Sequence, residues 1–133
     1  GPDGAIEFFH GYTYSGHPLA AAAGCATLDV YQEEGLFERA RSIEDKFADA
    51  LHSLKGEPNV IDVRNFGLIG AVELAPIEGQ PTARAMSVFR ECFDNGVIVR
   101  TTGDTIAFSP PLIIEEAQIG TVVDTVRAAL RKQ

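Results

Sequence analysis

Positive charge is scarce in this chain. Eleven lysines and arginines stand against nineteen aspartates and glutamates, a formal net charge of -8. Nucleic acids and anionic membrane surfaces need basic partners, so neither is expected here. Cysteine is nearly absent as well. Cys25 and Cys92 are far apart and lack CxxC spacing. No disulfide framework is expected, and a reducing, cytoplasmic setting is the natural expectation. No stretch approaches the roughly 18 apolar residues of a membrane span. The opening "GPDGAIEFF" has no positively charged leader region. His10 and His17 have no acidic or thiol companion nearby, and His52 adds no spacing logic. A zinc site needs three or four converging ligands, so no metal is expected. The G-x-S-x-G elbow of a serine hydrolase is missing too.

What is present describes a globular domain. The 133 residues are 45% hydrophobic and 23% charged, with both signs interspersed, which speaks against global disorder. Residues 6–9 read as a short extended piece. Pro18 suits the first turn of a helix. The run "LAAAAGCATL" that follows is apolar on nearly every side, the signature of a helix packed inside a larger body. Gly35 should end it. Leu36, Ala40, Ile43, Phe47, Leu51 and Leu54 then recur at helical steps, with charges between them and a stop at Gly56 and Pro58. Residues 60–74 read as extended chain interrupted by a turn or bulge at Gly67 and Gly70. Thr82 is the expected N-cap of a short helix with an apolar stripe of Met86, Phe89 and Phe93. "VIVR" and "TIAF" flank Thr101–Asp104 as a hairpin, closed by Pro110-Pro111. A last helix spans 115–131, with Ile119, Val122 or Val123, Val126 and Leu130 inward. The order predicts an α+β fold: a small antiparallel sheet with helices packed on one face.

Two places carry chemistry. In "HGYTYSGHP", Thr13 and Ser15 supply hydroxyls and Gly11 and Gly16 let the backbone come close. Such a loop running into a helix start can hold a phosphate. The plainer reading is a helix cap whose turns satisfy one another. Arg100 ends "VIVR" beside a small polar turn. Its guanidinium fork matches a carboxylate. It can also be an exposed strand-end residue or a partner for Asp104.

"FFHGYTYSGHPLAAAAG" resembles the segment after the active-site lysine in class III aminotransferases, and more narrowly in the ω-amino acid:pyruvate (β-alanine:pyruvate) transaminases. "NGVIVRTTGDTIAFSPPLII" resembles their C-terminal domain, and the likeness covers nearly the whole chain. The resemblance implies a pyridoxal 5'-phosphate (PLP) enzyme of fold type I, a homodimer with active sites at the subunit interface. Residues 1–35 would then belong to the large PLP domain and residues 36–133 would form the C-terminal small domain. It implies that Thr13, with the backbone N–H of Tyr12, binds the cofactor phosphate of the neighbouring subunit. Arg100 would be the mobile arginine that pairs with the carboxylate of the substrate and swings aside when there is none. The partners implied are an amino donor and pyruvate or another keto acid. The Schiff-base lysine expected of the family has no match among Lys46, Lys55 and Lys132, so this chain alone is expected to be inactive. The apolar helix, deprived of a surrounding domain, is expected to pack against another copy or to be poorly anchored. The alternative from another class is a stand-alone α+β carboxylate-binding or regulatory module.

Overall fold

Apolar periodicity places the elements of the fold, and burial shows which faces they turn inward. The computed structural model describes residues 3–4 and 12–133. The extended piece expected at 6–9, and His10 and Gly11, lie outside the described residues. The chain divides into two units, Gly1–Gly35 and Leu36–Gln133.

In the first unit a turn at 13–16 leads into helix α1, Pro18–Glu33. Proline stands at the first helical position, where its missing N–H costs nothing. The cap is neither serine nor threonine. His17 takes that role, its Nδ1 accepting from the Ala20 N–H at 3.4 Å. Gly35, at φ 58°, follows the helix. None of the α1 residues is buried, and Leu19 and Leu28 are 75% and 66% exposed.

The second unit carries helices α2 (Leu36–His52), α3 (Ala83–Asp94) and α4 (Glu116–Leu130), and strands β1 (Val60–Phe66), β2 (Ile69–Leu74), β3 (Arg100–Thr102) and β4 (Thr105–Phe108). The sheet is antiparallel throughout, in the order β1-β2-β4-β3. Alternation along the strands buries one face only. Val63, Val72 and Ile106 are buried, whereas Arg64 and Arg100 are exposed. Against the buried face pack Phe47 and Leu51 of α2, Val88 and Cys92 of α3, and Ile119, Val123, Val126 and Leu130 of α4. This is the α+β layer expected from the pattern. Leu51, Leu54, Leu74 and Leu130 are wholly buried, each stabilising the fold by about 1.5–3 kcal/mol. Burial pushes the Cys92 thiol up to about 11, with the neighbouring Glu91 charge adding to it. Among the described residues no helix is long and apolar enough to cross a membrane.

Four expectations need correction. Thr82 stands at the N-cap of α3, but at φ 68° its side chain makes no capping hydrogen bond. Gly70 does not interrupt the extended chain; it lies inside β2, where a Cβ would come within 2.4 Å of Leu51 Cδ2. The register shift falls between Val60 and Asp62 instead, and Gly67 alone, at φ 54°, belongs to the turn. The buried residues of α3 are Ala85, Val88 and Cys92; of the expected stripe Phe89 does pack against the core, partly buried, whereas Phe93 is 57% exposed. Finally, "VIVR" is not a strand: β3 starts at Arg100, so Thr101 and Thr102 belong to the ladder and only Gly103 and Asp104 form the turn.

Candidate functional site

The polar loop before α1 holds Tyr12 and Thr13 side by side. The Tyr12 carbonyl accepts from the Ser15 N–H at 3.2 Å and the Tyr14 carbonyl from the His17 N–H at 3.3 Å. Gly16, at φ 75°, makes the tight path possible. These backbone bonds close the turn without any side-chain hydroxyl. With His17 capping α1, the hydroxyls of Thr13 and Ser15 are exposed and bonded to nothing among the described residues. A cap made by threonine or serine is therefore ruled out by position. What is left is a pair of spare donors directly before a helix N-terminus, where anions are favoured.

Arg100 belongs to the second unit, at the start of the edge strand β3. Pairing fixes its neighbours. Arg100 faces Ala107, Ala107 faces Ala71, and Ala71 faces Arg64, one row across the whole sheet. The row lies on the side away from the helices, since the adjacent row of Val63, Val72 and Ile106 is buried. At its two ends sit two arginines with opposite circumstances. Arg64 Nη1 donates to Asp62 Oδ2 at 2.7 Å and to Glu73 Oε2 at 2.9 Å. These carboxylates hold its guanidinium above the ordinary arginine range, and Arg64 in turn pulls Asp62 down. The Arg100 guanidinium makes no ion pair or hydrogen bond among the described residues. Asp104, the one carboxylate of its turn, is engaged elsewhere: its Oδ1 accepts from the Thr82 N–H at 3.0 Å. The Asp104 pairing considered for Arg100 is thus replaced by a bond to the start of α3.

Beside Arg100 opens a cleft of about 530 Å³, whose walls include Ile69, Ile98, Ala107, Phe108, Pro110 and Val122. The lip of an apolar cavity is a place where one fixed cation sets the orientation of a ligand. Arg39 braces the chain around Ile114, one of the residues lining the cleft. Its two terminal nitrogens donate to the carbonyls of Leu112 and Ile114, at 2.5 and 2.7 Å, fixing the segment after Pro110-Pro111.

None of the lysines is set up for imine chemistry, which needs a desolvated or otherwise depressed amine. Lys46 pairs with Glu116 and Lys132 with Glu91, both from exposed positions. Lys55 is exposed. His52 is occupied by Asn65, 2.9 Å from Nε2 to Oδ1. Sequence reasoning missed the two alanines beside Arg100 and the role of Asp104. Only the phase of "TIAF", with Ile106 inward and Ala107 outward, hinted at the first.

The profile of the aminotransferase class-III family matches residues 2–130. The chain belongs to that family. It is 56% identical over 130 residues to an omega-aminotransferase of Caulobacter vibrioides, covering 98% of this chain and 30% of that protein. It is 41% identical over 129 residues to a beta-alanine--pyruvate aminotransferase of Pseudomonas aeruginosa, covering 97% of this chain and 29% of that protein. Among solved structures, an omega transaminase from Pseudomonas jessenii in complex with PMP superimposes with a TM-score of 0.83 at 34% identity, over 92% of this chain and 28% of the other. This class-III aminotransferase chain therefore spans about 30% of the length of the relatives it matches. Class-III aminotransferases depend on PLP. A spare hydroxyl before a helix N-terminus is the donor chemistry that a phosphate accepts.

Proposed function

We propose that this chain is the C-terminal portion of a PLP-dependent aminotransferase that moves an amino group from an ω-amino acid or amine to pyruvate. The observation that carries the reading is Arg100, an unpaired guanidinium at the lip of an apolar cleft while Arg64 in the same row is locked by two carboxylates. The relatives' names, omega-aminotransferase and beta-alanine--pyruvate aminotransferase, supply the substrate class.

In this reading PLP, when bound, supplies the carbonyl carbon that takes up the amino group and the electron sink for proton transfer. The residues of this chain bind and orient. Thr13 donates its hydroxyl, and Tyr12 its backbone N–H, to the phosphate bound by the partner subunit of a homodimer. Arg100 pairs with the carboxylate of the amino donor or of pyruvate through two parallel hydrogen bonds. No lysine of this chain moves the proton, because Lys46 and Lys132 are ion-paired and Lys55 is solvated. The chain by itself therefore does not transaminate.

The test uses the full-length protein. Arg100→Ala should raise KM for pyruvate and β-alanine about tenfold or more, the cost of one charged hydrogen-bonding partner. Thr13→Ala should weaken PLP binding, read by titration of the apoenzyme, while leaving the fold intact. Unchanged KM values and unchanged cofactor affinity would overturn the proposal.

A further inference from the structure

We infer that Ala107 sets the choice between carboxylate-bearing and carboxylate-free amino donors, by leaving room for the Arg100 side chain to lie across β4. The inference rests on the transaminase reading above and concerns a residue that no part of that reading uses.

Arg100 and Ala107 are directly paired across the β3–β4 ladder. Opposed residues in an antiparallel pair have Cβ atoms about 4.5–5.5 Å apart, within the span of an arginine stem. Ala107 and Arg100 also border the same cleft. Beyond Ala107 the next residue in the row is Ala71, so two strands in succession present only a methyl group on this face. Both alanines are partly exposed. The stem of Arg100 therefore has a floor of two methyl groups to lie on.

The charges around it agree. Arg64 closes the far end of the row and is already held by Asp62 and Glu73. Asp104 is turned to Thr82. No carboxylate among the described residues pins Arg100 upright or flat, so its position is decided by space and by the substrate. A donor with a carboxylate draws the guanidinium to itself. A donor without one needs the guanidinium out of its way, and the path out of the way on the sheet runs over Ala107. Another cation on the same face cannot play this part. Arg64 would have to break two ion pairs before it moved.

A larger side chain at Ala107 should therefore hold Arg100 in the carboxylate-binding position. The experiment uses the full-length holoenzyme and two donors matched in length, β-alanine and n-propylamine, each followed as a single half-reaction by cofactor absorbance. In Ala107→Leu the rate constant per unit concentration for n-propylamine should fall about tenfold, the discrimination expected when a pocket loses room for one or two methylenes. The value for β-alanine should stay within about twofold, since its carboxylate finds Arg100 already in place. Ala107→Val, β-branched and suited to a strand, should show the same split and answers the question if the leucine variant folds poorly. Ala107→Gly should match the parent. Equal losses for both donors, or none, overturn the inference while leaving the transaminase reading standing. A parent enzyme that aminates its cofactor with neither donor overturns both.

Discussion

Glu57 shows what a single residue can do for the fold. Its carboxylate accepts from Arg131 Nε at 2.8 Å and from Arg127 Nη1 at 2.7 Å, and only 10% of its side chain is exposed. The hydrogen bond from Arg131, followed by that from Arg127, brings its pKa down from 4.5 to about 2. Arg127 also donates to the Ser53 carbonyl, at 3.1 Å, so the cluster ties the end of α4 to the segment that leaves α2. A carboxyl group with a lowered native pKa adds stability that is complete above its unfolded value and fades as pH drops through the native one. For Glu57 that window runs from about pH 4.5 down to about pH 2. Asp62 beside Arg64 and Glu91 beside Lys132 are shifted in the same direction, but from more exposed positions, where such pairs count for little. Urea midpoints of the wild type should therefore fall steeply across this window. In Glu57→Gln the midpoint should start lower at neutral pH and change less below about pH 4.5. Parallel curves for the two proteins would assign the acid sensitivity to other groups.

At the level of elements, the long periodic helices were legible and the short ones were not. Steps of three and four from Leu36 to Leu54 located α2, and Phe47 and Leu51 are buried where the pattern put them. In α3, side-chain size is a poor guide to the inward face. Phe93 is large and faces out, whereas Ala85 and Cys92 are small and face in. The Thr82 cap misled because a residue at φ 68° cannot place its hydroxyl over the helix start. The N–H of Thr82 turns to Asp104 instead, twenty-two positions on, a contact that no local pattern announces. It joins the start of α3 to the turn between β3 and β4, while the Asp104 carbonyl accepts from the Leu74 N–H at 2.9 Å at the end of β2. One residue thus binds three elements. Asp104→Ala should destabilise the protein by about 1–2 kcal/mol, the range for a lost cap or charged hydrogen bond. Asp104→Asn should recover most of that, because its Oδ1 still accepts. Guanidinium denaturation distinguishes the cases: equal stability of all three proteins would mean that the Thr82 contact contributes nothing.

The whole molecule is uneven in what holds it, and this asymmetry was legible in outline. Helix α1 is apolar on nearly all sides and yet buries none of its residues. The Arg100–Ala107–Ala71–Arg64 row was not legible, because it depends on β4 lying between β2 and β3, and strand order is a property of the assembled sheet. All residues of the buried core cluster, from Phe47 to Leu130, lie in the second unit, and so do the partly buried residues packed on it. Its ion pairs close on themselves in the same way: Glu57 with Arg127 and Arg131, Glu91 with Lys132, Glu116 with Lys46. None of the described residues of the first unit is a member of that core cluster. A chain lacking residues 1–35 should therefore fold on its own, unfold in a single transition, and keep its melting temperature within the few degrees that correspond to about 1 kcal/mol. It should also lose an exposed apolar helix, and contiguous patches of that kind favour association. Sedimentation should accordingly show the shortened chain to be more monomeric than the full 133 residues at equal concentration. A shortened chain that is unfolded, or melts in several steps, would mean that the first unit supplies part of the stability assigned here wholly to the second.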